Sequence, residues 1–311
     1  MRPEISIVVP VYSASTGLST LFDRIAAVLD AAHRTFELIL VDDRGNLAAW
    51  PAIQALAARD ERVLGLRLGR NFGQHAATMC GIANARGEYV VTMDEDLEHP
   101  PEALPDLLAA CSEAQPLVYG VFPQRTHAWY RNITSELMRW SLKKSFPDLN
   151  ESYTSYRVMH RALASRLAEF QLSRPYIDGM LSWLTSSVGT VTVAHGTRDD
   201  GRSAYTLRRL VSHALNIFVT FSNVPLRMAS YGGVVMATVG FLYLLYVVYG
   251  RLTGRITDPG YASLMSVVLC ACGIQLVILG LLGEYVGRLM GAANRKPVYA
   301  VQSSTRSGEF S

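Results

Sequence analysis

Charge is scarce in this chain. Asp, Glu, Lys and Arg supply 18% of its 311 residues, against roughly a quarter in an ordinary soluble domain. That shortage points to lipid for part of the chain. An excess of either sign is also missing: 29 basic against 26 acidic residues leave a net charge of +3, too little to hold a nucleic acid. The four cysteines, Cys80, Cys111, Cys270 and Cys272, show no zinc-site spacing, and two of them fall in an apolar run. They read as reduced, buried small hydrophobes of a cytosol-facing protein. The opening residues MRPEISIVVPVY lack the basic, apolar and small-residue succession of a secretory signal. They read instead as a first β-strand, which leaves the N-terminal domain in the cytoplasm. No internal repeat or low-complexity segment is present, and the length suits one large domain with a smaller element beside it.

Up to about residue 200, short β-branched runs alternate with helical stretches. Ile5–Val11, Phe36–Val41, Val63–Leu68, Tyr89–Met93 and Leu117–Phe122 are strand-like. Leu18–Ala32, Ala48–Arg59, Gly73–Ala85 and Glu102–Cys111 carry helical periodicity or propensity. Such alternation predicts an α/β domain over 1–204, with a largely parallel sheet covered on both faces. Ligands of such sheets lie at the carboxyl ends of the strands.

Beyond residue 226 the pattern changes. Met228–Gly250 and Pro259–Gly283 contain no charged residue. At ~1.5 Å per helical residue, each run spans a ~30 Å hydrocarbon core. Neither run shows an amphipathic face, and Arg227 and Arg251 bracket the first. Two spans, 228–250 and 261–283, are therefore expected, joined by a short link whose Asp258-Pro259-Gly260 signals a turn. Arg208, Arg209 and Arg227 precede the hairpin and Arg288, Arg295, Lys296 and Arg306 follow it, against Arg251 and Arg255 in the link. That bias places both flanks, including a tail over 284–311, in the cytoplasm. Over 205–227, Leu207, Leu210, Val211, Leu215 and Phe218 recur at helical spacing, fitting an amphipathic helix at the membrane surface. A helix packed on the globular domain fits the same spacing.

One cluster stands out chemically. The strand Tyr89–Met93 runs into Asp94-Glu95-Asp96-Leu97-Glu98, four acids in five positions at a strand's carboxyl end. They would repel one another without a counter-charge, and Mg²⁺ or Mn²⁺ takes such oxygen ligands and bridges them to a diphosphate. A solvated acidic loop ahead of Pro100-Pro101 is the bland alternative. His75 and His99 are not at metal-pair spacing, and hydrogen bonding or packing suits each better.

Several stretches occur together in an order that is itself informative. Ile7-Val8-Val9-Pro10-Val11-Tyr12, Leu40-Val41-Asp42-Asp43, Arg70-Asn71-Phe72-Gly73-Gln74-His75, Ala85-Arg86-Gly87-Glu88-Tyr89 and Asp94-Glu95-Asp96-Leu97-Glu98-His99-Pro100-Pro101 resemble, in sequence, the inverting family-2 glycosyltransferases of the GT-A fold. Pro225-Leu226-Arg227 and Gly280-Leu281-Leu282-Gly283-Glu284-Tyr285-Val286-Gly287-Arg288 are similar to the polyprenyl-phosphate branch of that family. Within it, the undecaprenyl-phosphate 4-amino-4-deoxy-L-arabinose (formamido) transferases are nearest and the bactoprenol glucosyltransferases next. The resemblance runs from about Ile5 to Val301. The Q-x-x-R-W motif of the processive synthases is absent.

The resemblance implies a GT-A domain, an interfacial helix and a two-span hairpin in the cytoplasmic membrane, with the catalytic domain in the cytoplasm. It implies transfer of a sugar from a nucleotide-sugar, with a UDP-sugar the expected donor, onto a polyprenyl phosphate with inversion. The product would serve envelope or lipid A modification. Asp94 and Asp96 would be catalytic and bind Mg²⁺ or Mn²⁺, with Glu98 contributing. Pro10, Tyr12, Asp42, Asp43 and Arg70 would frame the nucleotide. Arg125, Arg131, Arg198 and Arg202 would meet the acceptor phosphate, for which the planar guanidinium fork is suited. Membrane lipids and a second copy of the chain are further implied partners.

Departures from the family pattern are Tyr12-Ser13-Ala14-Ser15 after the first strand, Arg44-Gly45 after the acids, Ala204 for a common lysine, and Ser155 where relatives often carry an Asp. A phosphate monoester, with its second pKa about 6, needs little help to attack, so no firm base is assigned. Glu151 and Glu98 are the weak choices. The rival readings are a bactoprenol glucosyltransferase and a non-catalytic membrane partner that keeps the fold.

Overall fold

The computed structural model describes residues 2–12, 17–122, 153–170, 172, 175–194, 224–254, 260–293 and 297–306, with some side chains of the two long helices outside the description. The chain forms two compact units, one from Met1–Tyr205 with Arg295–Ser311, the other from Thr206–Asn294.

The first unit is built on β1 (Ile5–Val11), five of whose seven residues are β-branched and stiff enough to favour extended backbone. It sits mid-sheet, pairing in parallel with β2 (Phe36–Asp42) and with β4 (Tyr89–Thr92), while β3 (Val63–Leu68) pairs in parallel with β2. Three further strands are β5 (Leu117–Val121), β6 (Arg157–His160) and β7 (Val188–Thr192). With β8 (Val301–Ser304) they complete an eight-stranded sheet ordered β7-β5-β6-β4-β1-β2-β3-β8. β6 runs antiparallel between β4 and β5, and β8 runs antiparallel to β3. The sheet is therefore mixed rather than largely parallel.

Alternation along β1 divides the core into two layers. Ile5, Ile7, Val9 and Val11 pack with α1 (Gly17–Ala31), α2 (Ala49–Arg59) and α4 (Leu104–Ala110), while Val8 packs with α3 (Gln74–Asn84) on the other face. The second layer also takes α5 (Arg161–Ala168) and α6 (Ile177–Leu184). Each fully buried Ile or Leu contributes roughly 1.5–3 kcal/mol, so two filled layers hold the sheet firmly. α3 comes so close to β1 that a Cβ on Gly81 would lie 2.2 Å from Val8 Cγ1. The buried thiols Cys80 and Cys111 are pushed up to about 12 and about 11 by desolvation and stay protonated, whereas Cys272 is exposed.

The motif Ala85-Arg86-Gly87-Glu88-Tyr89 lies at the opposite end of the sheet from the carboxyl strand ends. There buried Glu37 accepts from Ser6 Oγ at 2.7 Å and from Arg86 Nη2 at 2.6 Å. A Cβ on Gly87 would meet the Ser6 backbone nitrogen at 2.6 Å. This stretch closes the bottom of the sheet and serves architecture.

The second unit contains α7 (Val224–Leu252) and α8 (Tyr261–Ala293). They run past both ends of the first expected span and past the C-terminal end of the second. Taken over the described residues alone, no helix is long and apolar enough to cross a membrane, so the two-span expectation gains no support from that measure. The amphipathic segment ahead of α7 lies mostly outside the described residues. The sequence tail is not a simple extension: residues 301–304 return to the first unit as β8.

Candidate functional site

The carboxyl ends of β1, β2, β3 and β4 carry the residues singled out by sequence, and hydrogen bonds tie them together. In β1, the Val8 carbonyl accepts from Met93 N–H and the Val11 carbonyl accepts from Asp43 N–H, so successive residues face β4 and β2 in turn. Pro10, facing the β4 side, follows the last pair Val8–Thr92. With no N–H there, Pro10 cannot extend the ladder to β4. Beyond it, Tyr12 N–H donates to Glu95 Oε1 at 3.2 Å, while the Tyr12 ring is largely exposed.

Asp42 ends β2, Asp43 follows it, and both are buried. Asp43 accepts from the N–H groups of Phe72 (2.7 Å) and Gly73 (2.8 Å), which anchors the loop after β3. Gly73 has φ 94°, a backbone that favours glycine. Arg70 stands exposed on that loop with its guanidinium 4.7 Å from the Phe72 ring centroid. Asp42 Oδ1 accepts from Arg44 N–H at 2.8 Å. Its Oδ2 lies 3.2 Å from Arg67 Nε as an ion pair, and neither atom makes a hydrogen bond among the described residues. Burial raises the pKa of both acids above the usual carboxylate range, against the opposing pull of Arg44 and Arg67 on Asp42 and of the two N–H groups on Asp43.

A folded pKa above the unfolded one means that the native state binds more protons across that interval. Stability is then lost as pH rises from the ordinary carboxylate range through the raised pKa. Asp42→Asn removes the titration while keeping the Oδ1 acceptor. Its unfolding free energy, relative to wild type, should increase with pH above that range and converge towards wild type below it; denaturant melts at several pH values read this directly.

The acidic loop after β4 has its own scaffold. Asp94 N–H donates to His99 Nδ1 at 2.9 Å, and His99 stacks on Tyr156 at 5.0 Å between centroids. Burial lowers the His99 pKa, with Asp94, Asp96 and Glu98 opposing. A neutral imidazole with an accepting Nδ1 follows, which is the hydrogen-bonding and packing role expected from sequence. Asp94 Oδ1 accepts from Gln74 Nε2 and Oδ2 from Ser155 Oγ, each at 2.7 Å. Asp96 Oδ1 accepts from Glu98 N–H at 3.2 Å. Leu97 has φ 63° with its side chain in the core. Burying that leucine offsets the roughly 1–2 kcal/mol cost of a left-handed backbone, and the flanking acids stay part-exposed.

Among the described residues, no three His, Cys, Asp or Glu side chains gather as a metal cage. Asp94, Asp96 and Glu98 are thus not assembled as a three-ligand set. The structure brings Pro10, Tyr12, Asp42, Asp43, Arg70, Asp94 and Asp96 to the carboxyl ends of β1 to β4. Arg125, Arg131, Arg198, Arg202 and Glu151 lie outside the described residues. Sequence reading missed Gln74, Arg44 and the buried pair Arg157–Asp178, whose placement depends on pairings distant in the chain.

The model of the family "Glycosyl transferase family 2" matches residues 6–170, and that of the "GtrB C-terminal hairpin" matches residues 224–289. An undecaprenyl-phosphate 4-deoxy-4-formamido-L-arabinose transferase of Shewanella sediminis is 32% identical, over 96% of this chain and 91% of its own. The enzyme of the same name from Edwardsiella ictaluri is 30% identical, over 98% of this chain and 95% of its own. The uncharacterized glycosyltransferase YkcC of Bacillus subtilis is 30% identical, over 96% and 93%. Among solved structures, glucosyl-3-phosphoglycerate synthase from Mycobacterium tuberculosis, in complex with Mn²⁺, UDP and phosphoglyceric acid, is similar with TM-score 0.51. It has 19% identity and covers 70% of this chain and 77% of its own, a likeness of fold.

Proposed function

The chain belongs to glycosyl transferase family 2, and on that premise we propose that it transfers a sugar from a nucleotide-sugar to undecaprenyl or another polyprenyl phosphate. A UDP-sugar is the proposed donor and the cytoplasmic face of a membrane the proposed place. The observation that carries this reading is the meeting, at the carboxyl ends of central strands, of the two buried acids that close β2 with the acidic loop after β4. The named activity of relatives aligned along nearly the whole chain supports the acceptor.

A divalent cation suits the donor set. Mg²⁺ is ordinarily held by one or two carboxylates plus substrate phosphates rather than by an all-protein cage. Asp94 and Asp96, hard oxygen donors two residues apart on a part-exposed loop, fit that description, and no third protein ligand is needed. When bound, the metal supplies Lewis-acid neutralisation of the leaving diphosphate. Gln74 and Ser155 fix both oxygens of Asp94, and His99 fixes its backbone, so the loop is set before the donor arrives. Asp42, Asp43, Tyr12 and Arg70 hold the nucleoside side.

In the reaction, an acceptor phosphate oxygen forms a bond to the anomeric carbon as the bond from that carbon to the diphosphate oxygen breaks. The electron pair leaves with the nucleoside diphosphate and the configuration inverts. Ser155 donates to Asp94, and the ionised phosphate needs no base there. Arg125, Arg131, Arg198 and Arg202 are the proposed partners of that phosphate.

Membrane anchoring through the hairpin is part of the proposal. It is supported by the two charge-free sequence runs, by the hairpin family match, and by exposed apolar residues on both helices, Val234 at 65% and Leu276 at 69% among them. The test is transfer by detergent-purified protein with undecaprenyl phosphate, Mn²⁺ or Mg²⁺ and a panel of nucleotide-sugars. Lipid-linked sugar from one donor, lost on adding EDTA, is expected. Product that is indifferent to EDTA would remove the metal. UDP binding with no product from any donor would favour a non-catalytic partner.

A further inference from the structure

The residues after the hairpin return to the sheet beside the proposed donor site. β8 pairs antiparallel with β3 through Leu66–Ser304, Arg67–Ser303 and Leu68–Val301. Val298, Tyr299 and Val301 pack against the core layer beneath. Just before the strand, the Ala300 carbonyl accepts from Gly69 N–H at 2.8 Å, next to Arg70. One residue into it, exposed Gln302 accepts through Oε1 from Arg44 Nη2. A stretch of three residues thus touches both the loop after β2 and the loop after β3.

Arg44 is the element that needs holding. Its φ of 55° is left-handed, which costs a residue with a Cβ roughly 1–2 kcal/mol. Its N–H binds Asp42 Oδ1, and its Nε donates to the Leu68 carbonyl at 3.1 Å. The following residue, Gly45, lies so close to Tyr12 that a Cβ there would sit 2.2 Å from the Tyr12 carbonyl oxygen and 2.3 Å from its ring. The backbone conformation of Arg44 therefore sets where Gly45 meets Tyr12 and how Asp42 is capped. With Gln302 removed, the guanidinium keeps the Leu68 carbonyl as its one hydrogen-bond acceptor among the described residues, beside the charge of Asp42, and the strained turn is free to relax.

We infer that Gln302, carried back from beyond the hairpin on β8, is a positioning residue of the donor-nucleotide site, acting through Arg44 on the loop from Asp42 to Gly45. This rests on the reading of Asp42, Asp43 and Tyr12 as donor-side residues. Gln302 touches neither donor nor acceptor. It makes a competent nucleotide site depend on a segment made after the hairpin, so a chain lacking the return strand would lack a complete donor site.

The test uses the full chain in detergent and compares wild type, Gln302→Ala and Gln302→Glu. UDP affinity is read by calorimetry with Mn²⁺ present, and donor KM and kcat by transfer. Loss of one exposed hydrogen bond, felt at the nucleotide only through Arg44, predicts that Gln302→Ala weakens UDP binding and raises donor KM by about three- to tenfold. The kcat at saturating donor should stay within about twofold and the melting temperature unchanged, since the residue is exposed. Gln302→Glu restores affinity, because a carboxylate accepts from the same guanidinium. Wild-type affinity in Gln302→Ala overturns the inference. So does equal weakness in both variants, which would place the effect in the strand rather than in the acceptor. Wild type that binds no UDP at all overturns the functional reading itself, and the inference with it.

Discussion

Asp96→Asn is expected to lower sugar transfer by about three orders of magnitude, the scale of losing one preorganised electrostatic group at a reacting centre. The fold should be untouched. Asp96 is part-exposed, and its Oδ1 accepts from Glu98 N–H, a bond that the asparagine carbonyl can still accept. What disappears is one negative charge on a loop that already holds Asp94, Glu95 and Glu98. Asp94→Asn would be harder to interpret, because Gln74 and Ser155 both donate to that carboxylate and an amide must present its NH₂ to one of them. Initial rates at saturating Mn²⁺, together with UDP titrations in the presence and absence of metal, decide the matter. Loss of the metal-dependent part of UDP affinity, with melting temperature retained, is the expected pattern. A variant that transfers at the wild-type rate would take the metal away from Asp96.

How much of this was legible in the sequence depends on how local each signal is. β1, rich in β-branched residues, and β3, with leucines at every second position, have the expected bounds, and β2, β4 and β5 differ from theirs by one residue at one end. Helices over 17–31, 49–59 and 74–84 likewise follow their periodicity. β6 and β8 escaped because each has only four residues, and VQSS carries almost no strand propensity. Both exist through antiparallel pairing to partners far away in sequence, which also turned an expected parallel sheet into a mixed one. In the site, the acids were legible as a repelling cluster at a strand end. Their supports were not: Gln74, Ser155 and His99 meet Asp94 only once α3, β6 and the loop after β4 are in place. The glycine-containing stretch at 85–89 was legible as a motif but not as architecture at the sheet's far end.

The largest stability effect is expected at Asp178→Ala. Arg157 on β6 and Asp178 on α6 are 3% and 5% exposed and form an ion pair. Tyr119 Oη donates to the same Oδ1 at 3.1 Å, and burial together with Asp178 drives the tyrosine pKa far up, so its proton stays. Removing one partner leaves a guanidinium in the core, which costs about 3–5 kcal/mol, or roughly 6–20 °C of melting temperature for a unit of this size. Replacing both at once answers a different question. The pair Arg157→Met with Asp178→Leu removes the stranded charge and should bring stability back to within about 1–2 kcal/mol of wild type. Transfer should not return with it. Arg157 Nε also donates to Thr92 Oγ1 at 3.1 Å, Thr92 Oγ1 donates to the Ser155 carbonyl at 2.7 Å, and Ser155 Oγ holds Asp94. That chain of contacts loses its buried end in the double variant. Recovered melting temperature with transfer still reduced would show that the ion pair sets the acidic loop as well as the core. Full recovery of both would confine the pair to stability and leave Ser155 and Gln74 to hold Asp94 unaided.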